Sequence, residues 1–593
     1  MNGLGLVVLA LLVFAIFYRL YGVFIATKVL CLDPKRKTPA ERFEDGKNYH
    51  VTNRYVVFGH HFAAIAGAGP LVGPVLAAQF GYLPGLLWIL IGSVLAGAVH
   101  DFVVLVASLR ADGKSIAEIA RRHLTPASAT VTMIAILFII VTALAGLAMV
   151  VVNALRDSAW GATTILLTIP IAIFVGLYME KWRKKVGEAS LIGVILVLLS
   201  VYIGGLVHHT PSIASYFSFS GKTLCIAITT YGFLASVLPV WLLLAPRDYL
   251  SSYMKIGTVA ILAIGIILVN PELRMPETTR FLGGGGPIIP GPVWPFVCIT
   301  IACGAISGFH ALISSGTTPK MLGNEKDALF VGYGAMLTEG FVAVMALIAA
   351  CVLLPNDYMA INVDPAKWAM FGIEPAELKH FSELVNEDLA GRTGGAVTLA
   401  VGMAHVFSSL PGLQSAMSYF YHFAIMFEAL FILTTVDAGT RVGRYLLQEA
   451  MGRIYKPLGE MNRLVPNLVA SFLISLAWGY LLYNNDIASI WPMFGSANQL
   501  LATIALIIGT AYLLKTAKKR TYALITGLPA IFMACTTLSA GFLNIQNNYL
   551  PRGDFTGYLN AFLTGIIMLC VVIVAVELLR SLKGLKFSSV EQV

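Results

Sequence analysis

The sequence predicts an all-α membrane protein that crosses the bilayer many times, and three features of the chain support this fold class. First, 58% of the 593 residues are hydrophobic and only 12% are charged, whereas roughly 25% of residues are charged in an ordinary soluble domain. Second, apolar stretches of about 20 residues, the length that crosses the hydrocarbon layer, recur along the whole chain. Third, Lys and Arg concentrate in the short loops between these stretches.

The apolar stretches predict about fifteen transmembrane helices, with broken helices among them. The predicted spans are 3–30, 55–79, 81–109, 126–153, 161–180, 188–207, 222–244, 249–270, 293–314, 328–355, 395–435, 464–482, 488–514, 521–541 and 556–579. The stretch 395–435 is too long for one helix, and Pro411 and Gly412 near its middle favour a re-entrant hairpin followed by one crossing. The first stretch lacks a basic n-region and a cleavage site, so we interpret it as a retained membrane helix.

The distribution of basic residues predicts the orientation of the chain. Lys and Arg recur in alternate loops and in the tail, whereas loops such as 208–221 and 356–394 are poorer in them or carry acids beside them. The basic loops contain Lys35, Arg36, Lys37, Arg42 and Arg54, then Arg110, Lys114, Arg121 and Arg122, then Lys181, Arg183, Lys184 and Lys185, then Lys320 and Lys326, then Arg441, Arg444, Arg453 and Lys456, then Lys515, Lys518, Lys519 and Arg520, and finally Arg580, Lys583 and Lys586. Because basic loops collect in the cytoplasm, we expect an outside N-terminus, a cytoplasmic C-terminus and an odd number of crossings. The net charge of +9 then reflects membrane orientation and indicates no nucleic-acid partner.

Glycine and proline interrupt the predicted span 55–79, which contains Gly67, Gly69, Pro70, Gly73 and Pro74. Proline removes an amide donor and glycine lets the backbone leave helical geometry. Irregular backbone at membrane depth persists only where it lines a cavity or is buried in protein. We therefore expect freed amides near Gly69 to Gly73 to offer a positive helix end to a carboxylate. A glycine and proline kink for close packing is the alternative.

Two further segments are candidates for helix breaks. Pro239 and Pro246 flank the inner end of the span that starts near Gly221, and small and hydroxyl residues crowd the segment 304–320. Discontinuous helices in two halves are typical of inverted-repeat secondary transporters. The predicted organisation is an N-terminal helix and cytoplasmic loop at 1–54, a five-crossing core repeat at 55–207, a second one at 222–435 with the outside loop 356–394, and additional C-terminal helices at 464–593.

Few ionisable side chains fall inside the predicted spans, and each is a functional candidate because charge is costly in hydrocarbon. They are His60, His61, His100, Asp101, His310, Glu339, His405, His422, Glu428 and Glu577. At about 1.5 Å per residue, His60 and His61 reach a similar depth to Asp101 on neighbouring antiparallel helices, which allows contact between them.

A histidine beside a carboxylate in a partly dry cavity titrates near neutral pH, which suits proton coupling. A hydrogen bond that only joins two helices is the alternative, and both interpretations also apply to His310 and Glu339. His60 and His61 point about 100° apart on a helix, so at most one of them faces the cavity.

Hydroxyl residues near the third candidate break suggest a possible sodium site. Ser314 and Ser315 could ligate sodium, because hard cations prefer oxygen ligands; hydrogen bonding to their own helix backbone is the alternative. We interpret Asn498 and Gln499 as polar contacts between helices.

Several enzyme and pump signatures are absent from the sequence. It contains no Walker A motif, no HExxH metal motif and no nucleophile elbow. The seven cysteines form no CxxC pair, which argues against a zinc module. We therefore expect a chain that is neither an enzyme nor by itself an ATP-driven pump, and that needs no cofactor.

Five sequence blocks carry a family resemblance. They are NRYVVFGHHFAAIAGAGPLVGPVLAAQFGYLPG (53–85), HDFVVLVASLRADGKSIAEI (100–119), RDYLSSYMKIG (247–257), ITIACGAISGFHALISSGTTPK (299–320) and WPMFGSANQLLA (491–502). Together they closely resemble the carbon starvation protein A family. The resemblance implies an inner-membrane carrier related to the amino acid, polyamine and organocation superfamily, with a five-plus-five inverted repeat and uptake of pyruvate or peptides by proton symport. By the same analogy, Ser314 and Ser315 fall where sodium-coupled relatives place ion ligands.

The functional prediction is a proton-coupled importer of a small carboxylate such as pyruvate, in the plasma membrane of a bacterium or archaeon. The predicted substrate-binding residues are Gly67, Ala68, Gly69, Pro70, Gly73 and His310. The predicted proton-coupling residues are His60, His61, Asp101 and Glu339. The expected partners are the lipid bilayer and the small-molecule substrate, and the sequence does not predict an oligomeric state.

Peptide import is the first alternative, and it requires a larger cavity with an anion for the amino terminus, such as Asp101 or Glu339. Sodium coupling in place of proton coupling is the second. A membrane sensor of starvation metabolites is the third, but no loop is long enough for an output domain.

Overall fold

Helices dominate the computed structural model, which describes residues 2–45, 49–178, 186–238, 244–460 and 463–584. Within those ranges there is no β-strand, and only two isolated bridges occur, Asn2 with Glu272 and Thr52 with Leu322. The predicted all-α fold class is confirmed. Pro239, the basic cluster Lys181, Arg183, Lys184 and Lys185, and Lys586 in the tail lie outside the described residues.

The helices of the first half run from the N-terminus to the loop after residue 269. In chain order they are α1 (Gly3–Phe17), α2 (Pro39–Arg42), α3 (Arg54–Ile65), α4 (Gly69–Ala77), α5 (Tyr82–Gly92), α6 (Ala98–Leu109), α7 (Ile116–His123), α8 (Pro126–Leu155), α9 (Ala159–Leu177), α10 (Val186–His208), α11 (Pro211–Phe217), α12 (Gly221–Val237) and α13 (Leu244–Val269). A π-helical turn joins α5 to α6, so these two form one continuous span, Tyr82–Leu109.

The helices of the second half are α14 (Val293–Thr300), α15 (Gly308–Gly316), α16 (Gly334–Cys351), α17 (Pro355–Asn362), α18 (Trp368–Phe371), α19 (Leu378–Val385), α20 (Ala396–Ser408), α21 (Met417–Ile454), α22 (Leu464–Asn484), α23 (Ile487–Thr516), α24 (Leu524–Asn544) and α25 (Phe555–Gly584). Helices α17 to α19 lie in the predicted outside loop 356–394.

In the described part of the chain, 11 helices are long and apolar enough to cross a membrane, and counting the bent pair α3 and α4 as one span gives 12. The predicted number of about fifteen is not confirmed. The difference arises where the helices are short or interrupted. Helix α12 is about 26 Å long at 1.5 Å per residue, which is less than the hydrocarbon thickness of about 30 Å. The predicted span 293–314 is divided between α14 and α15.

The long apolar stretch 395–435 is broken, as its length and composition predicted. Helix α20 has 13 residues, about 20 Å, and ends at Ser408. The chain turns through Gly412, whose φ of 81° is left-handed, and resumes as α21, a helix of 38 residues. A short helix, a turn and one long crossing therefore replace a continuous span.

The two interrupted helices lie in the protein interior. Helix α4 packs on α16 and α20, while α15 packs on α6 and α23. In the most apolar part of α23, 94% of the residues are buried, whereas only 28% are buried in the corresponding parts of the spans that contain α1 and α25. The spans α5–α6, α16 and α23 thus form the centre of the molecule, and α1 and α25 lie at its lipid-facing periphery.

Candidate functional site

The first broken helix is formed by α3 and α4, whose axes are bent by 47°. Helix α3 ends at Ile65, and Ala66 has non-helical backbone angles, φ −74° and ψ 77°. Helix α4 begins at Gly69, with Pro70 in its first turn, where the missing amide needs no partner. The interruption predicted from Gly67 to Pro70 is confirmed at this position.

The second broken helix is formed by α14 and α15, with an irregular segment at 301–307 between them. Two side chains of α23 form hydrogen bonds with backbone groups on either side of this break. Asn498 Oδ1 accepts a hydrogen bond from the Phe309 amide at 3.0 Å, and Gln499 Nε2 donates to the Cys298 carbonyl at 2.6 Å. The interpretation of Asn498 and Gln499 as polar contacts between helices is confirmed.

The two broken helices approach each other through glycines. A Cβ added at Gly69 would lie 2.3 Å from Cys303 Sγ, and one added at Gly73 would lie 2.5 Å from the Thr300 carbonyl oxygen. Only a residue without a side chain permits this separation. Gly73 therefore packs against the backbone of α14, which is a different environment from the anion-binding end predicted for it.

A chain of four ionisable side chains, His100–Asp101–His310–Glu339, connects α6, α15 and α16. His100 Nδ1 lies 2.7 Å from Asp101 Oδ1, and His310 Nδ1 lies 2.9 Å from Asp101 Oδ2. On its other side, His310 Nε2 lies 3.1 Å from Glu339 Oε2. The side chains of all four are buried. We call this group the His–Asp–His–Glu chain.

The protonation of this chain is constrained by its geometry. A neutral imidazole donates from only one nitrogen, yet both nitrogens of His310 face a carboxyl group. The group therefore places one imidazole between two buried carboxyl groups, with a hydrogen bond to Asp101 at Nδ1 and an ion-pair distance to Glu339 at Nε2.

The structure separates the two adjacent histidines of α3. His61 is buried, and its Nδ1 lies 2.7 Å from Thr318 Oγ1, whereas His60 is exposed and lines a cavity. The hydrogen bonds of Asp101 go to His100 and His310, so the predicted contact between Asp101 and the histidines of α3 is replaced by a contact with α15. The coupling roles of His60 and His61 stay a prediction.

The cavity beside His60 has a volume of about 90 Å³ and lies between α3, α13, α15 and α21. It is lined by His60, Ala63, Ala64, Ser251, Lys255, Phe309, Ile313, Thr434, Thr435 and Ala438. A smaller apolar compartment of about 20 Å³ adjoins it through Ala64, Phe309 and Thr435, and this compartment contacts the break at Gly67, Ala68 and Gly69. Three of the predicted substrate-binding residues thus lie next to the cavity.

Lys255 is a wall residue of this cavity that the sequence reasoning missed. Its side chain comes from α13, and its ammonium donates to the Ala63 carbonyl at 2.9 Å. The ammonium also lies 3.8 Å from the centre of the Phe431 ring, a cation–π contact. The signal was present, because a lysine inside the predicted span 249–270 is a charge at membrane depth.

The predicted sodium ligands have unequal surroundings. The Ser315 hydroxyl donates to the Ala311 carbonyl at 2.6 Å and accepts from the Ile116 amide at 3.0 Å, so it joins α15 to α7. The Ser314 hydroxyl is buried, and no hydrogen-bond partner for it occurs in the described ranges. Across those same ranges, no group of three or more His, Cys, Asp or Glu side chains is arranged for a metal ion. The sodium site stays a prediction.

Comparison with known sequences gives matches along nearly the whole chain. The family model described as carbon starvation protein CstA matches residues 2–540. The "Peptide transporter CstA" of Bacillus subtilis (strain 168) is 50% identical, covering 98% of this chain and 97% of that relative. The "Pyruvate/proton symporter BtsT" of Escherichia coli (strain K12) is 45% identical, covering 93% of this chain and 83% of that relative.

Among solved structures, a manganese transporter of Eremococcus coleocola matches with a TM-score of 0.44 and 12% sequence identity. The match covers 89% of this chain and 95% of that chain.

Proposed function

The chain belongs to the carbon starvation protein CstA family, and on this premise we propose that it imports a small carboxylate, such as pyruvate, by proton symport. The family includes relatives named as transporters of peptides and of pyruvate with protons. The proposed carrier lies in a bacterial inner membrane, with its N-terminus outside and its C-terminus in the cytoplasm. Proton is the proposed coupling ion, and no cofactor is involved.

The observation that carries the proposal is the buried His–Asp–His–Glu chain. Ionisable groups are expensive at membrane depth and generally mark ion or proton pathways there. In this chain His310 lies between Asp101 and Glu339, with its Nδ1 2.9 Å from one carboxyl group and its Nε2 3.1 Å from the other. Helix α15, which carries His310, is also the second half of a broken helix beside the cavity. Phe309 and Ile313 of the same helix line the cavity, so we propose that a change in the protonation of His310 is transmitted through α15 to the cavity wall.

The size of the cavity supports a small substrate. Its volume is about 90 Å³, while a protein cavity of about 150 Å³ accommodates benzene. Pyruvate has as many non-hydrogen atoms as benzene and is more compact, so a modest widening admits it. A dipeptide has about twice as many atoms and needs a much larger rearrangement.

Peptide import remains the second candidate, because the Bacillus subtilis relative, at 50% identity, is named a peptide transporter. A peptide carrier needs a conformation in which the cavity and the compartment beside Gly67 merge and widen. Sodium coupling is the corresponding alternative for the driving ion, with Ser314 as a ligand.

Uptake into proteoliposomes tests the proposal. Labelled pyruvate and a labelled dipeptide are supplied under separately imposed proton and sodium gradients, with protein-free liposomes as the control. We expect pyruvate to accumulate under an inward proton gradient, and a protonophore to abolish the accumulation. Absence of pyruvate uptake under every gradient would overturn the proposal. Dipeptide accumulation would support the second candidate, and accumulation under sodium alone would reassign the coupling ion.

A further inference from the structure

We infer that Lys255 binds the carboxylate of the substrate inside the cavity, which makes the site selective for short monocarboxylates. The inference rests on the proposed function, because it assigns the residue that recognises the proposed substrate. Lys255 lies on α13, outside both broken helices and outside the His–Asp–His–Glu chain.

Contacts from two neighbouring helices hold the ammonium group at the cavity wall. The Ala63 carbonyl belongs to the last turn of α3, where the helix dipole and the unpaired carbonyls attract a cation. The Phe431 ring, on α21, supports the ammonium from a second helix at 3.8 Å. A cation that is already held at the cavity wall loses little conformational freedom when an anion binds.

The surroundings of Lys255 strengthen its attraction for an anion. The residue is only 3% exposed, so an ion pair formed in the cavity is poorly screened by water. A hydrogen bond between an ammonium and a carboxylate is about twice as strong as a bond between neutral groups. Charge in the cavity therefore favours a carboxylate over a neutral molecule of the same shape.

The remaining walls suit a short ligand with one charged end. The Ser251 and Thr434 hydroxyls, 3.4 Å apart, and the His60 ring provide hydrogen-bonding groups. Phe309 and Ile313 provide apolar surface. Pyruvate fits these walls, because its carboxylate and carbonyl can contact the charged and hydrogen-bonding side chains and its methyl group the apolar ones. Lys255 is the single Lys or Arg side chain among the described residues that line the cavity, so a second carboxylate would be buried there without a cation and dicarboxylates are disfavoured.

Binding measurements with the purified full-length protein test the inference. Labelled pyruvate is titrated against wild type, Lys255→Met and Lys255→Arg, and unlabelled pyruvamide, its neutral analogue, serves as competitor. Lys114→Met, in an exposed loop position, is the matched control. We expect Lys255→Met to raise the dissociation constant by about 30-fold or more and to abolish the preference for pyruvate over pyruvamide. Lys255→Arg is expected to retain the preference.

The outcomes that overturn the inference are specific. Wild-type affinity and wild-type preference in Lys255→Met would exclude carboxylate binding by Lys255. Unchanged binding combined with loss of the response to a proton gradient would assign Lys255 to coupling instead. If Lys255→Met does not fold, Lys255→Arg and Lys255→Gln are compared for their preference for pyruvate over pyruvamide. Only the arginine variant keeps the charge, so the inference requires the preference in Lys255→Arg and its loss in Lys255→Gln.

Failure of the proposed function gives a different pattern. If the wild type binds no pyruvate but binds a dipeptide, the same variants are titrated with that dipeptide and with its C-terminal amide. If the wild type prefers the dipeptide over its amide and Lys255→Met loses this preference, the inference is supported even though the protein does not transport pyruvate. Equal binding of acid and amide would overturn it.

Discussion

Asp101 is the residue on which the buried ionisable chain depends, because its two oxygens contact two different imidazoles. His100 and His310 lie 2.7 and 2.9 Å from it, and none of the three side chains is exposed. A carboxylate accepts at both oxygens, whereas an amide presents a donor at one of the two positions. Replacement of one carboxylate oxygen by an amide NH2 therefore puts a donor where one of the two imidazoles meets an acceptor.

We predict that Asp101→Asn reduces proton-driven uptake at least tenfold, because the amide cannot accept a proton from His310. Breaking a buried ion pair typically lowers the free energy of unfolding by about 3–5 kcal/mol, so we expect a lower melting temperature in detergent as well. Asp112→Asn is the control, since Asp112 pairs with Arg42 at the surface, where a pair contributes little. Wild-type proton-driven uptake by Asp101→Asn would remove this residue from the coupling mechanism.

Glu428 on α21 gives the opposite prediction. It is 2% exposed, and neither of its carboxyl oxygens has a hydrogen-bond partner in the part of the chain that the structure describes. A buried polar group without a partner typically destabilises a fold by about 1–3 kcal/mol. We expect Glu428→Met to preserve or raise thermal stability, because a thioether side chain fills the same buried position without an unsatisfied carboxyl group. A marked stability loss in Glu428→Met would contradict this reasoning.

At the scale of helices, the interior is organised by the contact between the two broken helices. Gly69 and Gly73 place α4 directly against the segment around Thr300 and Cys303. Asn498, on α23, holds the amide of Phe309 at the start of α15. The breaks are therefore stabilised by neighbouring helices, as is required of irregular backbone at membrane depth.

We predict that Gly73→Ala strongly lowers the yield of folded protein and its melting temperature. The added Cβ would lie 2.5 Å from the backbone oxygen of Thr300, so one of the two helices has to move. Gly59→Ala is the matched control on α3, because an added Cβ there meets no atom within 4 Å. Since alanine favours a helix over glycine by about 0.5–1 kcal/mol, the control should be neutral or slightly stabilising. Equal behaviour of the two variants in thermal unfolding would refute the close approach.

The breaks were predictable from the sequence, because proline and glycine act locally on the backbone. The partners of the polar residues were not, since hydropathy gives the depth of a residue but not the neighbour that its side chain faces. His310 was identified as a functional candidate, yet its contact with Asp101 depends on how α15 packs on α6. Lys255 carried a sequence signal as a charge inside a predicted span, but its contact with the end of α3 arises only from tertiary packing.

At the scale of the whole molecule, the positions of the two breaks bear on the predicted repeats. In the predicted division the first break opens the repeat 55–207, whereas α14 and α15 form the third crossing of the repeat 222–435. A repeat that begins at α14 would instead place both broken helices at corresponding first positions, the arrangement typical of inverted repeats. The division of the chain into repeats stays a prediction.

The two ends of the central helices differ in how they are closed. At the far end of α4, Gln79 Oε1 accepts from the amides of Ile288 and Ile289 at 2.7 and 3.0 Å, which closes the structure there. At the other end His60 is exposed, while Gly67 and Gly69 further along are buried. The cavity therefore opens toward the start of α3, the side that the basic loops predict to be cytoplasmic.

Cysteine labelling tests this orientation. Cys31 and Cys535 are first replaced by serine, because the other five native cysteines are buried. Single cysteines are then introduced into this background by His60→Cys, Lys114→Cys and Gly283→Cys. Position 283 lies in the loop after α13 and position 114 in the loop after α6, both exposed.

With a membrane-impermeant maleimide on intact cells, we expect labelling at 283 alone. After permeabilisation all three should react. If pyruvate binds in the cavity as proposed, excess pyruvate should slow the reaction at position 60, which lines that cavity. Labelling at 60 and 114 but not 283 in intact cells would show the inverted orientation, and labelling at 60 and 283 but not 114 would show that the cavity opens to the outside.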